Sequence, residues 1–168
     1  MFKNYNRQEE ENTIVSPSNG TFIPLSEVPD PVFNQGLLGK GFAIMPSDGI
    51  IKAPISGKIV TTSESKHIVG IETKNGYSIL IHVGLGTAAL LGQGFKYLIT
   101  ENQTVTKGDP LLEFDLNFIK EKAFSPLVLT TLINIVEDQM LLNWQNADKL
   151  IAGETPVVNI ILRHKLNM

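Results

Sequence analysis

The stretch NGYSILIHVGLG, Asn75 to Gly86, decides how the chain is read. Asn-Gly between two apolar, β-branched runs is a strong hairpin signal, because both residues accept the positive φ that a tight turn demands. The run after it has the composition and length of a strand. One of the three histidines of the chain, His82, stands inside that run, where packing alone would favour Val or Leu. A two-residue turn at Asn75-Gly76 sets Lys74 opposite Tyr77 and His82 opposite Val69. His67 precedes Val69 by two residues and so shares its face. The expectation is a pair of imidazoles, His67 and His82, diagonal neighbours within reach of one small group. A loop of odd length would put them on opposite faces.

Outward from this hairpin, short β-rich runs are cut by Gly and Pro roughly every 8 to 12 residues, the punctuation of an all-β sandwich or barrel. Strands are expected at Thr21–Leu25, Gly41–Pro46, Lys58–Thr62, His67–Thr73, Ser78–Val83, Pro110–Asp115, Val128–Val136 and Pro156–Arg163. Asp115 can cap a short helix over LNFIKEKA, and Thr87-AALL can form one helical turn. Glu137–Lys149 reads as either helix or irregular cover. Two pairs of segments repeat. SPSNGTFIPL (Ser16–Leu25) parallels APISGKIVTT (Ala53–Thr62), and GDPLLEF (Gly108–Phe114) parallels GETPVVNI (Gly153–Ile160). Pro-x-x-Gly is also ordinary turn chemistry before a strand, so a duplicated β unit and a coincidence of turns both fit.

A length of 168 residues suits one domain, expected at 13–168, behind a disordered polar tail at 1–12. The net charge of −3 offers no general attraction for nucleic acid or an anionic membrane. No run approaches the roughly 18 apolar residues of a spanning helix, and MFKNYNRQEEEN lacks the apolar centre of a secretion signal. The cytoplasm is the expected location. With no cysteine there is no disulfide, thiolate ligand or thiol nucleophile.

Two imidazoles on one face suit two chemistries. Zinc needs a third ligand, and only Glu64 and Glu72 stand near in sequence, without a spacing that compels either. Phosphoryl transfer needs less. A neutral imidazole is a good nucleophile near neutral pH, its phosphoramidate stays reactive, and a second imidazole can hold the phosphoryl oxygens. Gly84 and Gly86, directly after His82, would let backbone N–H groups approach an anion. The plain structural reading is that each histidine is a satisfied, partly buried core residue.

A series of motifs resembles one family, the glucose-type enzyme IIA (EIIA) of the bacterial phosphoenolpyruvate-dependent sugar phosphotransferase system. They are APISGKIV (Ala53–Val60), Ser65-Lys66-His67, LIHVGLGT (Leu80–Thr87), LGQGF (Leu91–Phe95), VTKGDPLLEFD (Val105–Asp115) and GETPVVNI, and they span about residues 13 to 163. The resemblance implies a compact antiparallel β-sandwich built on a duplicated hybrid motif. It implies that His82 carries a phosphoryl group on Nε2, that His67 supports it, and that Ser65 stands in the place of the family's usual Thr. Gly84 would support the phosphate site. The donor would be HPr, and the acceptor an enzyme IIB domain of a sugar permease. No cofactor is implied and no metal is required, although in some members a metal bridges the histidine pair together with a partner's carboxylate. Partners would dock on an apolar patch of Val32, Phe33, Leu37, Leu38 and Val69, with Asp30 as an acidic rim.

The chain departs from the family pattern in three places. Gly86 stands where the family has Asp, the following turn AALLGQGF lacks the usual Glu, and Val128-Leu129 replaces Thr-Pro. Both histidines remain, so the expected chemistry is kept while HPr docking is differently tuned. Three other readings are weaker. A zinc peptidase on a related barrel would need the missing Asp and a partner for His164. A biotinyl- or lipoyl-type carrier would need Lys74 in a Met-flanked hairpin tip. A regulatory EIIA-like protein would keep the fold and bind partners according to phosphorylation state.

Overall fold

The repeats seen in the sequence set the architecture of the computed structural model, which describes residue 7 and residues 9–163. Three strands open the chain: β1 (Thr13–Val15), β2 (Gly20–Pro24) and β3 (Gly41–Pro46). Seven follow in one run: β4 (Ile50–Lys52), β5 (Gly57–Thr62), β6 (Ile68–Glu72), β7 (Ser78–Leu85), β8 (Phe95–Tyr97), β9 (Thr104–Val105) and β10 (Pro110–Phe114). Four close it: β11 (Ser125–Ile133), β12 (Met140–Trp144), β13 (Lys149–Leu150) and β14 (Pro156–Leu162). Every strand pair is antiparallel.

The topology is symmetric. The large sheet has the order β13-β2-β3-β11-β7-β6-β5-β9, and two small sheets have the orders β1-β14-β12 and β4-β10-β8. Exchanging β1, β2, β3, β11, β12, β13 and β14 with β4, β5, β6, β7, β8, β9 and β10 leaves this pattern unchanged. The chain is therefore two copies of one β unit, the second inserted between β3 and β11 of the first. The two Pro-x-x-Gly segments cross where the copies meet. The Val15 N–H donates to the Pro54 carbonyl (3.0 Å), and the Lys52 N–H donates to the Pro17 carbonyl (2.9 Å). Ser16 pairs with Gly153 and Thr155, and Ala53 pairs with Gly108 and Asp109, in matching fashion.

The main core lies between the sheets, with Ile14, Phe42, Ile44, Ile59, Ile71, Tyr77, Ile79, Ile81, Leu111 and Leu112 fully buried. A second cluster, Val28, Phe33, Ala43, Leu85, Leu127 and Leu129, covers the outer face of the large sheet. It sits beneath a one-turn helix, Pro31–Asn34. Asp30 caps that helix by accepting from the Val32 N–H (2.9 Å), and Pro31 starts it. Asp115 caps Leu116–Lys122 as expected, and Thr87–Leu90 forms a 3-10 turn. Within the ambiguous Glu137–Lys149, β12 is a strand whose partner is β14.

Residues ahead of β1 are tied to the body of the fold. The Glu9 carbonyl accepts from Thr13 Oγ1 and from Asn159 Nδ2, the Glu10 carbonyl accepts from Lys107 Nζ, and Asn12 is buried. The Tyr77 hydroxyl, in the core, donates to Asn12 Oδ1 (2.7 Å). Tyr77→Phe is expected to lower unfolding stability by about 1–2 kcal/mol, the usual cost of losing one buried hydrogen bond. Urea denaturation checks this as a lower midpoint at unchanged slope.

Candidate functional site

His82 lies near the end of β7, a central strand of the large sheet. The alternation Ile79, Ile81, Val83 turns inward, so Leu80 and His82 face the outer side. The hairpin register differs from the sequence expectation. The Thr73 N–H donates to the Tyr77 carbonyl (2.9 Å), and Lys74-Asn75-Gly76 form a three-residue loop with Gly76 at φ 92°. His82 therefore pairs with Ile68, and Val69 pairs with Ile81. Core packing supplies the reason. This register buries Val69, Ile71, Ile79 and Ile81 together, whereas a slip of one residue would set Val69 on the outer face. Val69, expected on the docking patch, is 0% exposed and belongs to the core.

By strand parity the odd loop should separate the two histidines, yet their ring centroids lie 6.5 Å apart. His67 stands one residue before β6, at the end of a turn in which Lys66 takes φ 58°, so the pleat does not govern its side chain. Its carbonyl still accepts from the Val83 N–H (2.8 Å). Tyr97 clamps this turn, its hydroxyl accepting from the Ser63 N–H and donating to the Ile68 carbonyl. Ser65 lies in the same turn, two residues before His67.

Four rings run in a row. Phe33 meets His82 edge-on at 5.2 Å, His82 meets His67, and His67 meets Phe95 at 6.5 Å. Phe33 is only 7% exposed, so it is a wall of the site and not part of its outer surface. Val32, Leu37 and Leu38 are exposed on the same segment, and Asp30 is engaged as the helix cap. Gly84 is buried. A Cβ there would stand 2.4 Å from Thr87 Cγ2, and Thr87 Oγ1 donates to the Val83 carbonyl (2.8 Å). Packing against Thr87 is thus sufficient reason for this glycine.

The Nδ1 atom of each imidazole is buried without a hydrogen-bond partner. Burial, and then the neighbouring His67, push the pKa of His82 down to about 4. Burial also lowers His67, with the Ser65 backbone acting in the opposite sense. Both rings are therefore neutral near pH 7. Among the described residues no group of three or more His, Cys, Asp or Glu is placed to hold a metal ion, and His164 lies outside the described residues. Lys74 at the hairpin tip is ion-paired with Glu11 (2.8 Å). Sequence reasoning missed Ile68, Phe95, Tyr97 and Thr87. The Tyr97 clamp bridges positions 29 and 34 residues away, which no local pattern shows.

Residues 12–138 match the family described as phosphoenolpyruvate-dependent sugar phosphotransferase system, EIIA 1. The chain belongs to that family. It is 43% identical over 159 residues to the PTS system glucose-specific EIIA component of Halalkalibacterium halodurans, covering 94% of this chain and 91% of the relative. It is 36% identical over 164 residues to the protein of the same name from Oceanobacillus iheyensis, covering 96% and 97%. Among solved structures, glucose permease IIA from Mycoplasma capricolum superposes with a TM-score of 0.82 at 37% identity, covering 87% of this EIIA chain and 94% of that one. Phosphotransfer is the general activity that EIIA membership carries. No described helix is long and apolar enough to cross a membrane.

The depressed pKa of His82 has a consequence for stability. Above pH 6.5 neither the folded nor the unfolded chain protonates this residue. Between 6.5 and about 4 only the unfolded chain does, so folding stability falls with pH, by up to roughly 3 kcal/mol in all. His82→Gln should flatten the fall of unfolding free energy between pH 6.5 and 4.5, measured by denaturant titration.

Proposed function

We propose that His82 accepts a phosphoryl group from phosphorylated HPr on Nε2 and passes it to an enzyme IIB domain of a sugar permease. The observation that carries this reading is a neutral histidine whose Nδ1 is sealed in the interior, with a second neutral imidazole beside it. An incoming group can reach His82 only at Nε2. There the ring offers a lone pair that does not have to lose a proton first. The Nε2 lone pair attacks phosphorus in line as the donor's N–P bond breaks, and that electron pair returns to the donor imidazole. The wall of Phe33 holds the His82 ring in one orientation, so little is lost in aligning the nucleophile.

His67 has a different part. From 6.5 Å between centroids its ring can turn a donor N–H toward the phosphoryl oxygens, with Tyr97 holding the turn on which it stands. Ser65, on that turn, is a second candidate donor. The exposed Val32, Leu37 and Leu38 give both partners an apolar seat. The names of the relatives make a glucose permease the first acceptor to test. The cytoplasm, where HPr would meet this chain, is the compartment we assign.

The test uses enzyme I, HPr, labelled phosphoenolpyruvate and the full chain. Wild type should take up one acid-labile phosphate and His82→Ala none. His67→Gln should take up phosphate but pass it to IIB at least about 100-fold more slowly. Uptake by His82→Ala at the wild-type rate would sink the assignment. NMR titration supplies a second readout. The pKa of His67, lowered by burial in the free protein, should rise when His82 is phosphorylated, because a dianion then faces the ring.

A further inference from the structure

The turn that carries His67 is held by a side chain from another sheet. The ladder between β5 and β6 ends at the Thr62–Val69 pair. Ser63 and Ile68 are next in line, and the Tyr97 hydroxyl stands between them, accepting from the Ser63 N–H (3.0 Å) and donating to the Ile68 carbonyl (2.5 Å). Tyr97 comes from β8, where it lies opposite Leu112 of β10. The same strand reaches the turn at a second point. Phe95, two residues before Tyr97 and on its face of β8, has its ring 6.5 Å from that of His67. Inside the turn the Lys66 N–H donates to the Ser63 carbonyl (3.0 Å), and Lys66 takes φ 58°, a left-handed conformation that a lysine rarely adopts. His67 follows directly. Its carbonyl is tied to β7 through the Val83 N–H (2.8 Å), so the backbone entering from Lys66 decides where its ring points.

We propose that Tyr97 is a positioning residue for transfer out of the site: by bridging Ser63 and Ile68 it keeps Lys66 left-handed and so holds the His67 ring toward His82. This rests on the phosphoryl-carrier reading. An unfavourable backbone conformation persists only where its surroundings enforce it. Here the hydroxyl enforces it. Without that oxygen the Ser63 N–H and the Ile68 carbonyl face each other across the neck of the turn, bond directly and draw the neck in. Ser63, whose carbonyl accepts from Lys66, then moves, and Lys66 is free to relax. His82 depends less on this clamp, since β7 and its neighbour β11 carry it and Phe33 stands against its ring. Uptake at His82 is thus separable from onward transfer, in which His67 keeps a donor on the phosphoryl oxygens as phosphorus leaves. Moving an orienting group by about 1 Å costs roughly 100-fold in rate, and a turn that loses one of several ties gives up part of that.

The experiment compares the full chain with Tyr97→Phe, phosphorylated through HPr and mixed with the enzyme IIB domain of a glucose permease. The maximal rate of transfer to IIB should fall about tenfold. The half-saturating IIB concentration and the rate of uptake from HPr should stay within about twofold. Tyr77→Phe, which loses a buried hydroxyl elsewhere, controls for stability and should transfer at the wild-type rate. Proton NMR of the free proteins gives a readout without turnover. The ring resonances of His67, which the Phe95 ring shifts, should move in Tyr97→Phe and stay in place in Tyr77→Phe. Lys66→Asn supplies the rescue, because Asn adopts the left-handed conformation readily. Added to Tyr97→Phe, it should return the transfer rate to within about threefold of wild type. Transfer by Tyr97→Phe at the wild-type rate would overturn the positioning role and leave the carrier reading intact. An equal loss in Tyr97→Phe and Tyr77→Phe would reduce the effect to stability and equally overturn it. A wild type that takes no phosphate would overturn both readings together.

Discussion

The reciprocal pair of hydrogen bonds between Val15 and Pro54 and between Lys52 and Pro17 is the constraint on which the rest of the molecule is arranged. It ties two copies of one β unit at equivalent points. Since the second copy is inserted into the first, neither can close its share of the sheet alone. With the copies locked, β7 of one lies beside β11 of the other, and these are the longest strands of the chain. The centre of the large sheet is thus a seam between repeats. His82 sits on that seam, opposite Leu129 on one side and Ile68 on the other. The position is rigid because strands from both units flank it and the second apolar cluster covers it through Phe33.

Rigidity here comes with desolvation, and desolvation sets the chemistry. An imidazole in water titrates near 6.5, and at neutral pH a fraction of it is protonated and without a free lone pair. Walls of Phe33, Leu129 and Ile68, together with the second imidazole, make the charged form of His82 costly, which lowers its pKa to about 4. The folded chain gives up some acid stability and keeps His82 neutral over the whole range in which, on the proposed reading, it would work as the nucleophile. His67, nearer to solvent and to the Ser65 backbone, is perturbed in the same direction, with Phe95 at 6.5 Å where His82 has Phe33 at 5.2 Å. The two rings differ in environment though not in kind, and on the proposed reading that difference separates an acceptor from its support.

Eight of the fourteen strands and the Asp115 cap were legible from sequence because each depends on local pattern, alternation or capping chemistry, and the duplication was one of two readings that the repeated Pro-x-x-Gly segments allowed. The histidine pair was legible too, but for a reason that does not hold. Asn75-Gly76 suggested a two-residue turn. The chain instead uses Gly76 in a three-residue loop, because the inward set Val69, Ile71, Ile79 and Ile81 decides the register and the turn follows it. His67 then meets His82 only because it lies just outside β6, in a turn fixed by a tyrosine far along the chain. Val69 was assigned to the wrong face by the same slip. Phe33 was placed on the docking patch with Val32, Leu37 and Leu38 by the family resemblance, whereas in the turn capped by Asp30 it is buried. β12 was obscure since Glu137–Lys149 mixes polar and apolar residues without a period, and pairing with β14 overrides its composition.

A carrier, as distinct from an enzyme that releases its product, must not hold its phosphoryl group too well. A site dense with guanidinium or ammonium groups would bind the dianion deeply and slow the next transfer. The surroundings of His82 work against that. The causes that set its pKa are burial and a neutral ring, with no cation among them. On the proposed reading, the phosphoryl group sits among apolar walls with a small number of neutral donors, enough to orient its oxygens and too few to trap it. The energy of the P–N bond is then kept for the acceptor. On that reading, the same apolar surroundings that suppress protonation of the free histidine would keep its phosphorylated form labile, and one packing decision by the sheet would serve both halves of the transfer.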